Sequence, residues 1–196
     1  MVAGDGAEHA GWQTAVGEQA RLAALRASSF VIGSTGDGAR VEGSYATDDL
    51  FAVLGVTPLL GRGLQPQDQI AGSEPIVVLS ESYWRQQLNG VRAVIGRTLT
   101  LDGTPRTVVG VVPSLRAIGM PSAISSARLW VPLQIEAGAA ARDDRSLFVV
   151  ARLAAGVAMP SFTAQLETVA SELATLHPEN DGWGIGVDAL AGYAGD

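Results

Sequence analysis

The chain has 196 residues, 47% of them hydrophobic and 17% charged, which suits one ordinary domain or two small ones with a packed core and excludes wholesale disorder. Thirteen arginines face 20 acidic residues for a net charge of −7, and with no basic tract the chain is a poor nucleic-acid binder. The lack of lysine removes Walker A, Schiff-base and lysine-base chemistry; the lack of cysteine removes thiol catalysis, disulfides, iron–sulfur clusters and cysteine-ligated zinc.

Trp12 to Ala27 is rich in Ala, Gln, Leu, Arg and Glu, which are good helix formers, and predicts a helix. Ser28 to Thr35 reads as a strand, Gly36-Asp37-Gly38 as a turn, and Arg40 to Tyr45 as the partner strand of a hairpin. Thr57 to Glu74 is punctuated by Pro58, Gly61, Gly63, Pro66 and Gly72 and must be loop and turn. Ile76 to Leu79 is a continuous apolar run, the mark of a strand buried on both faces. Ser80 can cap a short helix through Leu88, with Glu81 favourable in its first turn.

Arg97 to Leu101 and Arg106 to Val112 predict a hairpin around Asp102-Gly103-Thr104-Pro105. Ser114 to Ala127 reads as loop. Leu129 to Leu133 is a short strand in which Pro132 implies an edge position or a strand end. Glu136 to Asp144 reads as a polar connection and Ser146 to Leu153 as a strand. Pro160-Ser161 opens a helix whose Phe162, Leu166, Val169, Leu173 and Leu176 form one stripe, and His177-Pro178 ends it. Trp183 to Leu190 alternates like a returning strand. The organisation is therefore an α-β-β unit and a β-α-β unit flanking a β-rich middle insert with one helix. No apolar run reaches the roughly 18 residues of a membrane helix, and Met1 to Glu8 lacks the basic and apolar regions of a secretory signal.

The residues that could carry chemistry do not assemble a site. His9 and His177 have no metal-ligand spacing. Gly33 to Gly38 lacks the lysine of a phosphate loop and precedes a strand, not a helix. Asp48-Asp49 and Asp143-Asp144 are adjacent pairs; on a strand such neighbours point to opposite faces, so neither pair is a natural acid–base dyad, and both read as solvated turn charges. No serine lies in a nucleophile elbow. Trp84, Trp130, Trp183, Phe51, Leu54 and Val56 read as core. Catalytic, cofactor-binding and metal residues are each expected to be none.

Several collinear blocks carry a likeness. They are Gly43 to Leu64 (GSYATDDLFAVLGVTPLLGRGL), Ile76 to Val112, with its VVLS, VIGRTLTLDG and VVGVV pieces, and Leu129 to Leu133 (LWVPL). The later VARLAAGV, the helix from Ser161, and His177 to Gly184 extend it to about Leu190. Together they resemble the periplasmic core domain of MacB-like, FtsX-related ABC transporter permeases, nearer to the duplicated orphan permeases than to MacB. The resemblance implies an α+β fold: a porter-like α/β subdomain built of β-α-β units over 1–56 and 134–196, with a small β-rich Sabre-like α/β subdomain inserted over 57–133. The likeness weakens at the start, where residues before Gly11 show no first strand.

The resemblance further implies a non-catalytic domain on the extracytoplasmic face of the bacterial inner membrane, lying between two transmembrane helices of the same permease chain. Such a domain would couple helix motion, driven indirectly by a cytoplasmic ATP-binding subunit or domain, to a substrate or a periplasmic partner protein. No cofactor and no nucleic acid are implied. Two other classes stay open on the residues alone. A stand-alone extracytoplasmic ligand-binding module would need a pocket with a few convergent polar groups. An enzyme with an acidic site would need distant carboxylates, such as Asp48 and Asp143, brought together.

Overall fold

The computed structural model describes residues 2–4, 13–33, 38–115, 125–134 and 147–176. Its contacts divide the chain into two compact units, Met1–Ala24 with Ile135–Ala189, and Leu25–Gln134 with Leu190–Asp196.

In the first unit, strand β1 (Val2–Gly4) pairs antiparallel with β9 (Leu147–Leu153), Ala3 opposite Phe148. The expectation that no strand precedes Gly11 is thus corrected. A stretch of Val, Ala and Gly has little strand propensity of its own, and it is the open edge of β9 that recruits it. Residues 13–16 form a helical turn, continued by a 3₁₀ turn at Gly17–Gln19. The chain then enters β2 (Ala20–Ile32), a strand that runs on into the second unit. Here the predicted helix over 12–27 is overturned beyond its first turns. Leu22 and Leu25 are buried in a strand that has β9 and β3 as ladder neighbours, so tertiary pairing overrides a helical composition. Helix α3 (Met159–Leu176) follows β9 as the sequence predicts. Phe162 and Leu166 of its stripe pack with Val16, Ala20 and Leu22 into one apolar cluster.

The second unit is built on a ring of strands. β2 pairs with β3 (Ala39–Ala46), β3 with β8 (Leu129–Pro132), and β8 with β5 (Ile76–Ser80). β5 pairs with β7 (Thr104–Val112), and β7 with β6 (Thr98–Leu101). The ring closes where Leu101 of β6 meets Ile32 of β2, with Asp102 N donating to the Val31 carbonyl and Val31 N donating to Asp102 Oδ1. The pairings β3–β8 and β5–β7 are parallel and the others antiparallel. The result is a small six-stranded barrel.

Alternating residues of every strand point into it. Phe30, Val41, Val77, Leu79, Leu101, Val108, Val111, Leu129 and Val131 form a single buried cluster, joined by Tyr83, Trp84 and Val94. Tyr83 and Trp84 come from α2 (Glu81–Gln87), which Ser80 caps by accepting from Tyr83 N. A register shift at Val77/Val78 lets both Val108 and Val111 face inward.

The predicted hairpin is present, but its loop is only Asp102-Gly103. Both residues take positive φ, 48° and 78°, and the strand resumes at Thr104. Pro132 ends β8 inside the ring, satisfying the strand-end alternative. The strand predicted over 183–190, and the loops over 116–124 and 136–144, lie outside the described residues.

Candidate functional site

The blocks singled out in the sequence converge on one crosspiece. Between α1 (Leu50–Leu54) and β5, the punctuated segment lays a two-residue strand, β4 (Leu60–Gly61), along the edge of β7 beside β6. Leu59 N donates to the Val111 carbonyl and Arg62 N to the Val109 carbonyl. The approach is so close that only glycine fits. A Cβ on Gly110 would stand 1.8 Å from the Arg62 carbonyl oxygen. One on Gly61, at φ +64°, would stand 2.1 Å from that of Val109.

Arg62 then turns back on its own loop. Its guanidinium grips Asp68 in two hydrogen bonds of 2.6 and 2.9 Å, and Gln65 N donates to Asp68 Oδ2 at 2.8 Å. Asp68 is 6% exposed, so a carboxylate taken out of water is held by three donors. The hydrogen bond to Asp68 raises the Arg62 pKa above its ordinary value. Sequence reasoning missed this pair. The arginine in the Gly-Arg-Gly run was visible, but its partner lies six residues away in a 3₁₀ turn (Pro66–Gln69) that no periodicity announces.

Asp48 and Asp49 sit in a turn ahead of α1, not on a strand. The Asp48 carboxylate accepts from Gln69 Nε2 at 2.7 Å. Burial first, and the charge of Asp49 second, push its pKa up. With the Gln69 amide as its hydrogen-bond partner, Asp48 is a half-buried loop anchor. His9, His177, Asp143, Asp144 and residues 34–37 lie outside the described residues. Among the described residues no group of three His, Asp or Glu could hold a metal ion.

The aromatic residues are where core packing puts them. Trp130 is fully buried and meets Phe51 edge-on at 5.5 Å between ring centroids; Leu54 and Val56 are buried with them. Trp84 is buried and donates from Nε1 to the Val91 carbonyl at 3.0 Å. Trp183 is outside the described residues. The motif residues therefore hold the barrel, its crosspiece and its cap together.

The family model of the MacB-like periplasmic core domain matches residues 7–169, most of the chain, and the chain belongs to that family. It is thus an extracytoplasmic domain of a MacB/FtsX-like ABC transporter permease, a class whose membership implies transmembrane helices in the same polypeptide. Its fold is shared with the periplasmic region of MacB from Actinobacillus actinomycetemcomitans (TM-score 0.63, 18% identity, 92% of this chain and 78% of that one). It is shared equally with a domain of a putative permease protein from Porphyromonas gingivalis (TM-score 0.64, 15% identity, 90% and 79%). A third likeness is to the extracellular domain of the noncanonic ABC-type transporter YknZ from Gram-positive bacteria (TM-score 0.62, 14% identity, 87% and 83%). No curated protein matches the chain in sequence. No described helix is long and apolar enough to cross a membrane.

Proposed function

We propose that this domain is a non-catalytic mechanical element. In this reading, ATP hydrolysis on a cytoplasmic subunit or domain moves the transmembrane helices, and the domain passes that motion to a substrate or partner protein outside the cytoplasm. The observation that carries the reading is the family match over residues 7–169. The motif residues support it, because they are spent on rigidity: Arg62 on Asp68, Ser80 on a helix cap, Gly61 and Gly110 on a close crossing.

The division into a porter-like part over 1–56 and 134–196 and a Sabre-like insert over 57–133 is part of the same proposal. It is supported by a discontinuous first unit and by a second unit whose main segment ends at Gln134; the contacts draw the first junction at Ala24/Leu25, within β2. A contact surface for a partner is available on the second unit. Leu59, Val91 and Ile95 are 46%, 47% and 40% exposed, and Arg85, Arg92 and Arg97 of the same unit are exposed as well.

The test uses the intact permease in a membrane. The domain contributes no native cysteine, so a dye on Arg97→Cys, an exposed position, can be read by energy transfer to acceptors on the lipid headgroups. ATP is expected to change the transfer. Unchanged transfer during measured ATP hydrolysis would overturn the reading.

A further inference from the structure

The two mouths of the barrel differ. One is closed by α2, whose Tyr83 and Trp84 join the internal apolar cluster. The other is lined by charged and polar side chains. On β2, Arg26 shares the inward face with Phe30; on β3, Tyr45 shares it with Val41; on β7, Arg106 shares it with Val108. Arg26 and Tyr45 are register partners, and the Arg26 guanidinium lies 4.8 Å above the Tyr45 ring, which also packs on Phe30 at 5.3 Å. Arg106 lies opposite Leu99 of β6, another residue packed on the internal cluster. Two strands, β8 and β5, separate β3 from β7 around the ring, and Arg106 and Tyr45 both face the lumen, Tyr45 near enough to act on the Arg106 charge.

Arg106 is the odd member. Its Nε is shut off from solvent and has no hydrogen-bond partner, and no described residue forms an ion pair with it. Burial lowers its pKa, and the nearby groups that offset this are Tyr45 and Asp102. Asp102 is exposed and accepts at Oδ1 from Val31 N, while Glu74 accepts from the Thr107 hydroxyl on the opposite face of β7. A guanidinium Nε shut off from water without a partner is costly, and the flat fork of donors matches an oxyanion. Barrel mouths are also common ligand sites.

We propose that this mouth is a binding site for a small oxyanion, carboxylate or phosphate, with Arg106 as its main ligand and Arg26 and Tyr45 as its wall. The anion would supply a counter-charge that no described residue gives Arg106 in an ion pair, accepting from the Arg106 fork at the end of the lumen. The proposal stands on the barrel geometry and is independent of the mechanical reading above.

The test is the thermal midpoint of the 196-residue chain with inorganic phosphate, sulfate, acetate or citrate, each matched to chloride at equal ionic strength. At least one oxyanion is expected to raise the midpoint saturably, and whether phosphate and sulfate or acetate and citrate act more strongly identifies the ligand class. Arg106→Met is expected to raise the midpoint without anion, since an unpaired charge is removed, and to abolish the response. Arg106→Lys, which keeps the charge but loses the fork, is expected to weaken the apparent affinity about tenfold. Arg97→Met, on the exposed surface, should leave the response intact. No response of the unaltered chain beyond that to chloride, a full response in Arg106→Met, or a loss of anion-free stability in that variant would each overturn the proposal.

Discussion

The two units of this chain solve the same packing problem with different means. The second closes six strands on themselves and fills the lumen with Phe30, Leu79, Leu101 and Leu129, each at most 1% exposed, and their neighbours. The first lays the amphipathic helix α3 against β2 and β9 and, among the described residues, clusters a smaller set: Val16, Ala20, Leu22, Phe162 and Leu166. A closed ring leaves no lumen side chain free to relax, whereas a helix on a strand can slide into a gap. The lesson is that the earlier family motifs cluster where relaxation is forbidden, while VARLAAGV and the helix from Ser161 belong to the first unit. The Gly-Arg crosspiece, the hairpin and the capped helix all belong to the barrel.

That contrast can be broken by substitution. The largest effect is expected from the same change made in each unit. Leu79→Ala in the lumen should cost about 4 kcal/mol and Leu166→Ala on α3 about 2 kcal/mol, read from denaturant unfolding, because the cost of a cavity depends on how far its walls collapse. Equal costs would remove the distinction. Next comes Gly110→Ala, which drives a Cβ into the Arg62 carbonyl and should cost about 3 kcal/mol by overpacking; a neutral result would show that the crosspiece is free to lift away.

Arg62→Ala should follow, at about 2 kcal/mol, since it strands the buried Asp68 with a single donor, Gln65 N. The companion change Arg62→Ala with Asp68→Ala should recover part of the loss, which a double-mutant cycle measures. The smallest effect concerns pH. Asp48 holds its proton more tightly folded than unfolded, so the stability it contributes is present in acid and is lost as pH rises through its folded pKa. Asp48→Asn should therefore gain on the unaltered chain as pH rises from strongly acidic towards neutral. A thermal-midpoint difference that stays flat across that range would contradict the assignment.

Much of this was legible in the residues. Ile76 to Leu79, Ser80 as a cap, the Asp102-Gly103 turn and the stripe on α3 each rest on a local rule, and local rules are readable one window at a time. What was not legible is what depends on distance. Arg21 to Arg26 is helical by composition, yet it becomes strand because two ladders claim it. The ring closes through Ile32 and Leu101, and no pattern in either strand announces the other. The same holds for Arg106. Its alternation with Val108 marks it as inward, but only the closed ring shows that it shares a lumen with Tyr45 and has no ion-pair partner among the described residues.

The central claim is that the barrel is the rigid element of this domain and the helix-on-strand unit the softer one. Native-state amide hydrogen exchange measures this directly, since protection reports the free energy of opening residue by residue. The slowest amides are expected in Ile76–Ser80, Thr104–Val112 and Leu129–Pro132, with β9 and α3 exchanging faster. Slower exchange in Leu147–Leu153 and Met159–Leu176 than in those barrel strands would contradict the account.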